Sequence, residues 1–344
     1  MISVKKHGIL LEKTDLAFEN ESVLNPGIFQ EGNTIHMLYR AVRKGNYSTI
    51  GYCKLEGPMK IIQRDITPLL IPYSDDASRG IEDPRIVAID GTYYITYTAY
   101  NGINALGALV TSKDLLTFER QGIIAPKFTF DEFKILAECN NLVHTKYFRH
   151  VRHFEPQDEV YLWDKNFVFF PKRIDGKLAF LHRIRPGIQL VMVNDLKELT
   201  KEFWKRYFLH FNSHIVMDPV GEKHESGYIG AGAPPIETAV GWLLIYHGVY
   251  DTAEGYVYTA AAALLDLNNP KKVIARLDKP LFVPEHDFEL NGVVNNVVFP
   301  TGTALFGDTL YIYYGAADVS IAVASVSLNE LLNELLLNKV NYED

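Results

Sequence analysis

Two strand-like runs meet at a tight turn in the segment Gly80-Ile81-Glu82-Asp83-Pro84-Arg85-Ile86-Val87-Ala88-Ile89-Asp90-Gly91-Thr92-Tyr93-Tyr94-Ile95-Thr96-Tyr97. The residues after Pro84 and after Gly91 are mostly β-branched or aromatic, which favours β-strands. Asp90-Gly91 is typical of a two-residue hairpin turn, because both residues tolerate the positive φ angles of such a turn. The segment therefore predicts an antiparallel hairpin.

Similar hairpin signals recur and divide the chain into five units. Turn residues precede a strand-like run at Glu31-Gly32-Asn33, Asp90-Gly91, Asp175-Gly176, Val240-Gly241 and Gly307-Asp308. Repeated units of several strands are typical of a propeller, whose blades pack around a central channel, and a two-sheet sandwich is the structural alternative. We predict an all-β fold, a five-bladed β-propeller, with residues 1–344 as a single domain.

Two regions depart from the strand pattern. Residues 128–158 contain a polar and aromatic insertion that we predict to be partly helical and to cover the binding surface. Ser327-Leu328-Asn329-Glu330 has the spacing of a capping box and precedes an apolar run. It predicts a C-terminal helix over about 328–338, packed on the outside of the fold.

The composition excludes several classes of protein. A formal net charge of −8 argues against a broad surface for nucleic acid or anionic membranes. The two cysteines provide neither a disulfide framework nor a zinc motif. No metal or organic cofactor is predicted, because no set of His, Cys and carboxylate residues has the spacing of ligands. The apolar run Ile9-Leu10-Leu11 is too short for a signal peptide, which predicts a cytoplasmic protein, or a periplasmic one if a signal was trimmed. Exposed strand edges are compatible with a homo-oligomer, which the sequence neither predicts nor excludes.

The segment Glu82-Asp83-Pro84-Arg85 carries the strongest chemical signal. It places two acids and an arginine immediately before a predicted strand, and we expect Pro84 to hold Asp83 in an extended conformation. Polar or Gly/Pro-rich residues stand at equivalent places of the other units, at Asn25-Pro26-Gly27, Asp164-Lys165-Asn166, Gly230–Pro235 and Asn295–Gly302. In a propeller these positions converge on one axial pocket, as glycoside cleavage requires of its carboxylates. A turn or a salt bridge is the alternative for the acidic pair taken alone.

Taken together, the motifs resemble those of glycoside hydrolase family 130, the mannoside phosphorylases and β-mannosidases. The resemblance covers essentially the whole chain, in the order Glu82–Arg85, Phe169–Ile174 with Leu181–Arg183, Ile229–Ile236 with Gly241–Gly248, Val298–Gly302, and Tyr313–Asp318. It implies a five-bladed propeller and an inverting reaction on a mannose-containing oligosaccharide.

The resemblance also implies roles for individual residues. Asp83 would be the general acid, delivering its proton through a hydroxyl of the bound mannose. Asn25, Arg40 and Asp318 would contact the sugar, and Arg40 and Asp318 have the paired hydrogen-bonding groups that hold hydroxyls, with a buried ion pair as the alternative. Arg85, within the acidic motif, is a further substrate-binding candidate.

The attacking group is either water or phosphate. Lys165, next to Asn166, and Arg183 match two basic phosphate positions of the family, whereas Tyr228 stands where a third position has lysine. Loss of that cation, together with the nearby Glu225, favours hydrolysis, with Glu225 as the base that activates water. An ordinary loop carboxylate is the alternative for Glu225.

Some single residues have weaker signals. His247 is either a substrate contact or a core histidine. Trp163 and Tyr250 are candidate platforms for sugar stacking, with packed aromatics as the alternative.

The leading hypothesis is therefore an inverting glycosidase that hydrolyses β-mannosides, with 1,2-linked manno-oligosaccharides as candidate substrates. A β-mannoside phosphorylase that releases α-mannose 1-phosphate, with inorganic phosphate as co-substrate, is the first alternative. A non-catalytic glycan-binding propeller and a furanosidase of another five-bladed family are the others.

Overall fold

The computed structural model describes residues 2–139, 143–148, 159–220 and 224–339. The described chain is mostly β, as predicted, and its strands form four hydrogen-bonded sheets, none of which closes on itself. No helix among these residues combines the length and the apolar character needed to cross a membrane.

Strands and helices are numbered in chain order. The strands are β1 (Lys5–Leu11), β2 (Ser22–Glu31), β3 (Thr34–Arg43), β4 (Tyr47–Glu56), β5 (Lys60–Arg64), β6 (Gly80–Ile89), β7 (Thr92–Tyr100), β8 (Ala105–Ser112), β9 (Phe118–Ile123), β10 (Lys165–Phe169), β11 (Leu178–Arg183), β12 (Ile188–Val193), β13 (Ile215–Met217), β14 (Tyr228–Ala231), β15 (Ile236–Thr238), β16 (Gly241–Thr252), β17 (Gly255–Leu265), β18 (Val273–Arg276), β19 (Val298–Phe306), β20 (Thr309–Ala316) and β21 (Ser320–Ser327). The α-helices are α1 (Phe130–Glu138), α2 (Lys201–Leu209), α3 (Asp287–Leu290) and α4 (Leu328–Leu337).

The first sheet is a pair of antiparallel units. Strands β2 to β5 and strands β6 to β9 each form a meander, and one parallel pairing, between Ser48 and Gly80, joins them. The Asp90-Gly91 turn between β6 and β7 has φ angles of 51° and 68°, as the hairpin prediction requires.

The other three sheets follow the chain. Strands β10 to β13 form one sheet, β14 to β18 form the next, and β19 to β21 form the last. The N-terminal strand β1 pairs with the C-terminal strand β21, with Lys5 opposite Ser325. The two ends of the chain are thereby held in one sheet.

Buried side chains of the described residues form core clusters between consecutive units. The units β2–β5 and β6–β9 share the cluster around Ile50 and Ile95, and the next three clusters join each unit to the one that follows it. A further cluster, including Met37 and Val323, packs the last unit against the first. The packing order is therefore cyclic.

The two non-strand regions contain helices, as predicted. Helix α1 lies in the predicted insertion and begins after Thr129, whose hydroxyl accepts a hydrogen bond from the Glu132 amide at 3.2 Å. Residues 140–142 and 149–158 of that insertion lie outside the described residues. Helix α4 starts after Ser327 and buries Leu331 and Leu335 against the last two sheets. Helix α2, which packs on α1, has no counterpart in the sequence prediction.

Candidate active site

The first strands of three units, β2, β6 and β10, each carry a bulge. The pairing register shifts at Asn25-Pro26 in β2, at Asp83-Pro84 in β6 and at Asn166-Phe167 in β10. A bulge inserts an extra residue into one strand and can redirect a side chain next to an active site. The polar motifs therefore lie within strands, and the prediction that they precede them was wrong.

Left-handed backbone conformations accompany these bulges. Asn25, Asp83 and Asn166 have φ angles of 49°, 53° and 57°, and Asp318, in the turn between β20 and β21, has 56°. The expectation that Pro84 extends Asp83 was wrong: proline favours an extended residue before it, but Asp83 lies in a bulge and adopts the left-handed conformation. Asn and Asp tolerate the left-handed region better than other non-glycine residues, since their short polar side chains can bond locally.

These four side chains line one cavity of about 150 Å³. Most of the predicted site residues are found there, namely Asn25, Arg40, Asp83, Lys165, Asn166, Arg183, Tyr228 and Asp318. Trp163, a predicted stacking platform, also lines the cavity, whereas Tyr250 does not. Val297 and Phe299, from the segment Asn295–Gly302 that was expected to face the pocket, line it as well, whereas Arg185, Tyr258 and Val294 complete the wall and were not predicted.

At one end of the cavity, Asp83 is surrounded by cations. Its carboxylate accepts a 2.7 Å hydrogen bond from the Asn25 amide and lies 3.8 Å from the Arg40 guanidinium. Burial alone would raise the pKa of Asp83, but the charges of Arg40, Lys165 and Arg85 outweigh burial and hold it below its ordinary value. Asp83 is therefore ionised in the unliganded protein at neutral pH.

Asp318 differs from Asp83 in its electrostatic environment. Burial, together with the negative charges of Asp83 and Glu82, raises the pKa of Asp318 to about 6, although Arg40 opposes the shift. Arg40 itself is bound at 2.9 Å to Glu82, which also lies 3.2 Å from Lys165. Two carboxyl groups with separated pKa values thus face one cavity, a combination typical of acid and base sites.

The other end of the cavity is cationic. The guanidinium of Arg185 stacks 3.8 Å above the Tyr228 ring, and that of Arg183 lies 5.0 Å from it. Among the described residues no carboxylate lies within 4 Å of either guanidinium. The Tyr228 hydroxyl is 2.5 Å from the Tyr258 hydroxyl. Burial and the neighbouring charge of Arg185 lower the pKa of Arg183 to about 10, which leaves Arg183 charged at neutral pH.

Arg85 and His247 lie behind the cavity wall. Arg85 is buried and donates hydrogen bonds to the backbone carbonyls of Asp83 at 2.9 Å and of Gly232 at 2.5 Å. It therefore holds the Asp83 bulge against the fourth unit. His247 is fully buried against Phe299, and burial followed by the charge of Arg183 keeps its pKa well below the ordinary value. It is a neutral core histidine next to the site.

Glu225 lies outside the cavity, where it forms a buried ion pair. Its carboxylate is bound by the guanidinium of Arg276 and accepts a 2.7 Å hydrogen bond from the Tyr246 hydroxyl, and the residue is 1% exposed. A general base must reach the water that it deprotonates. This geometry does not support the prediction that Glu225 is a base; it matches the alternative of a structural carboxylate.

Replacing Glu225 with glutamine is expected to lower the free energy of unfolding by about 2–3 kcal/mol, because the partly buried Arg276 loses its counter-charge. Denaturant unfolding would measure the loss. The double variant Glu225→Gln/Arg276→Gln is the matched control, and we expect it to be more stable than the single variant. A normal unfolding free energy together with loss of turnover would restore the catalytic hypothesis.

The sequence contained a signal for Arg185 that the prediction did not use. Side chains two residues apart on an extended segment share a face, so Arg185 follows Arg183 towards the same cavity. Val294 gave no such signal, because it lies in an irregular loop before β19. Among the described residues, no group of three or more His, Cys, Asp or Glu side chains is arranged to hold a metal ion.

The sequence profile of glycoside hydrolase family 130, described as beta-1,4-mannooligosaccharide phosphorylase, matches residues 9–336. The chain belongs to glycoside hydrolase family 130. It is therefore an enzyme of the glycoside hydrolase and glycoside phosphorylase class, and the resemblance inferred from the motifs is confirmed.

Similar family 130 proteins include two from Thermoanaerobacter sp. (strain X514). The 1,2-beta-oligomannan phosphorylase is 32% identical over 333 residues, which cover 94% of this chain and 96% of the relative. The beta-1,2-mannobiose phosphorylase is 34% identical over 325 residues, which cover 90% of this chain and 91% of the relative.

Solved structures support the family fold. The beta-1,2-mannobiose phosphorylase from Listeria innocua, in complex with beta-1,2-mannobiose, has a TM-score of 0.73 at 24% identity, with 98% of this chain and 100% of that chain covered. A second solved structure has a TM-score of 0.71 at 23% identity, with 94% of this chain and 93% of that chain covered. It comes from work on glycoside hydrolases within this family of mannoside phosphorylases, which target β-1,2 mannosidic linkages in Candida mannan. The fold thus occurs with both chemistries, and the site must distinguish them.

Proposed function

We propose that this family 130 enzyme is an inverting β-mannoside phosphorylase, which transfers the terminal mannosyl unit of a β-1,2-linked manno-oligosaccharide to phosphate. One observation carries the proposal: Arg183 and Arg185 line the same cavity as Asp83 and have no carboxylate partner within 4 Å among the described residues. A dianion needs such charge in a partly desolvated pocket, and guanidinium groups suit phosphate geometry.

The relatives support phosphorolysis over the hydrolysis that was favoured from the sequence. The two Thermoanaerobacter proteins, which align over at least nine-tenths of this chain, are a phosphorylase of 1,2-β-oligomannan and one of β-1,2-mannobiose. The argument for hydrolysis rested on Tyr228 and Glu225. Arg185, stacked on Tyr228, supplies a cation near the position of the missing lysine, and Glu225 is occupied by Arg276.

The sugar-binding end follows from the carboxyl and amide groups of the cavity. In the proposed complex, Asn25, Arg40 and Asp318 bind hydroxyls of the mannosyl unit, and Asp83 faces the glycosidic oxygen or a sugar hydroxyl that relays its proton. A site held on strand bulges and braced by Arg85 keeps these groups in fixed positions, which lowers the entropic part of the barrier.

The chemical step is a single displacement. A phosphate oxygen forms a bond to the anomeric carbon as the glycosidic bond breaks, and the departing oxygen receives a proton from Asp83, directly or through the relay. Attack on the opposite face converts a β-mannoside into α-mannose 1-phosphate. Bound phosphate offsets the cations that keep Asp83 ionised, so its pKa rises and proton uptake accompanies phosphate binding.

We also propose that the five strand units are the blades of a five-bladed propeller. The cyclic order of the core clusters and the pairing of β1 with β21 support this arrangement, since a ring needs the last blade to pack on the first. The bulges at equivalent places of three innermost strands agree with an axial site.

The proposal predicts that β-1,2-mannobiose is consumed only in the presence of phosphate and yields α-mannose 1-phosphate. Nuclear magnetic resonance of the fresh product would identify the anomer, and a reaction without phosphate is the control. Release of free mannose at the same rate with and without phosphate would contradict phosphorolysis and support hydrolysis.

A further inference from the structure

A second cavity adjoins the first. It measures about 380 Å³, more than twice the volume of the first cavity, and Arg40 and Asp318 line both. Its remaining lining residues are Glu21, Ser22, Leu24, Val42, Gly45, Asn46 and Val293. The two cavities are therefore neighbours, and the residues that they share are two of those proposed to bind the transferred sugar.

The two cavities have different electrostatic character. Arg183, Arg185 and Lys165 line only the first cavity, on the side of the third and fourth units. The second cavity is formed by β2, β3, the turn after β3, the loop before β19 and the turn that carries Asp318. Among the described residues that line it, Arg40 alone is a cation, and Glu82 pairs with it at 2.9 Å. This cavity is not suited to a second phosphate.

Its surface combines polar and apolar groups. Glu21, Ser22 and Asn46 offer hydrogen-bonding groups, whereas Val42 and Val293 offer apolar surface, and Val293 is 67% exposed. Sugars present hydroxyl groups at their edges and C–H groups on their faces, so a site of this kind suits neutral saccharide units. In an inverting reaction the leaving group departs on the side opposite to the attacking phosphate.

We propose that the second cavity binds the leaving-group part of the substrate and holds more than one sugar unit. The enzyme would then act best on β-mannan oligomers of three or more units, with Val293 and Asn46 among the contacts. This inference rests on the proposed phosphorylase function. It also assigns the direction of the bound oligosaccharide, which runs from the cationic end of the first cavity past Arg40 and Asp318 to the loop before β19.

The test is kcat/KM for β-1,2-mannobiose, -mannotriose and -mannotetraose at saturating phosphate. We expect the trisaccharide value to exceed the disaccharide value roughly tenfold, since contacts with a remote sugar unit contribute binding energy that kcat/KM reports. Val293→Trp fills the cavity and is expected to lower the ratio of the trisaccharide to the disaccharide value at least about fivefold.

The matched control is Val240→Trp, the same change at a 38% exposed valine in the turn between β15 and β16. It should leave the ratio as in the wild type. Equal kcat/KM for all three substrates, or an unchanged ratio in Val293→Trp, would overturn the inference while leaving phosphorolysis intact. Absence of phosphate-dependent cleavage of every substrate would instead reject the proposed function.

Discussion

Asp83→Asn is expected to lower kcat for phosphorolysis about 10³-fold, the loss typical of removing a general acid. Asparagine tolerates the left-handed backbone of the bulge, where Asp83 has a φ of 53°, and it can still accept the hydrogen bond from Asn25. It cannot supply a proton to the departing oxygen. Initial rates with saturating β-1,2-mannobiose and phosphate would measure the loss.

Asp90→Asn provides the matched control for this variant. Asp90 also has a left-handed φ, 51°, but lies in the exposed hairpin turn between β6 and β7, where it pairs with Arg173 at 2.9 Å. We expect near wild-type kcat. A comparable loss in both variants would attribute the effect to the backbone, and wild-type kcat in Asp83→Asn would exclude Asp83 as the acid.

Arg185→Gln is expected to lower kcat/KM for phosphate about 100-fold, because a charge-assisted contact to the dianion is lost. The change should be seen mainly in KM for phosphate, with a smaller change in KM for the mannoside, since Arg185 lies at the end of the cavity away from Asn25 and Arg40. The glutamine removes the charge that lies 3.8 Å above the Tyr228 ring.

The control for Arg185 is Arg43→Gln. Arg43 is also stacked on a tyrosine, 4.2 Å above the Tyr47 ring, but it is exposed at the end of β3 and does not line the first cavity. Its kinetic constants for phosphate should remain as in the wild type. If Arg185→Gln left KM for phosphate unchanged, the cationic end of the cavity would not be the phosphate site.

Local sequence signals were sufficient to predict the strands and turns. The alternation of apolar residues and the Asp90-Gly91 and Asp175-Gly176 turns depend on neighbours in the chain, so hairpins could be predicted from short segments. The helix after Ser327 was predicted for the same reason, since its cap is formed three residues along the chain. Helix α2 was not predicted, because its segment is rich in aromatic residues and its packing on α1, through Phe208 and Phe133, is a tertiary contact.

Site residues were predictable where a motif provides both position and chemistry. Asp83, Asn25 and Asn166 were found because polar residues recur at equivalent places of different units. Their actual setting on bulges was not found, because a bulge is a shift in pairing between two strands and leaves little trace in either strand alone.

The sequence by itself determined the β-rich architecture, the family and the acidic and amide groups of the site, all of which depend on residue type and spacing along the chain. Only the tertiary structure decided which charges remain unpaired. The charge of Glu225 is neutralised by Arg276, which lies 51 residues further along the sequence. Arg183 and Arg185 face the cavity without such a partner among the described residues. Whether a charge is neutralised depends on distances of a few ångströms between units remote in sequence, and that decides between a structural residue and one that binds substrate.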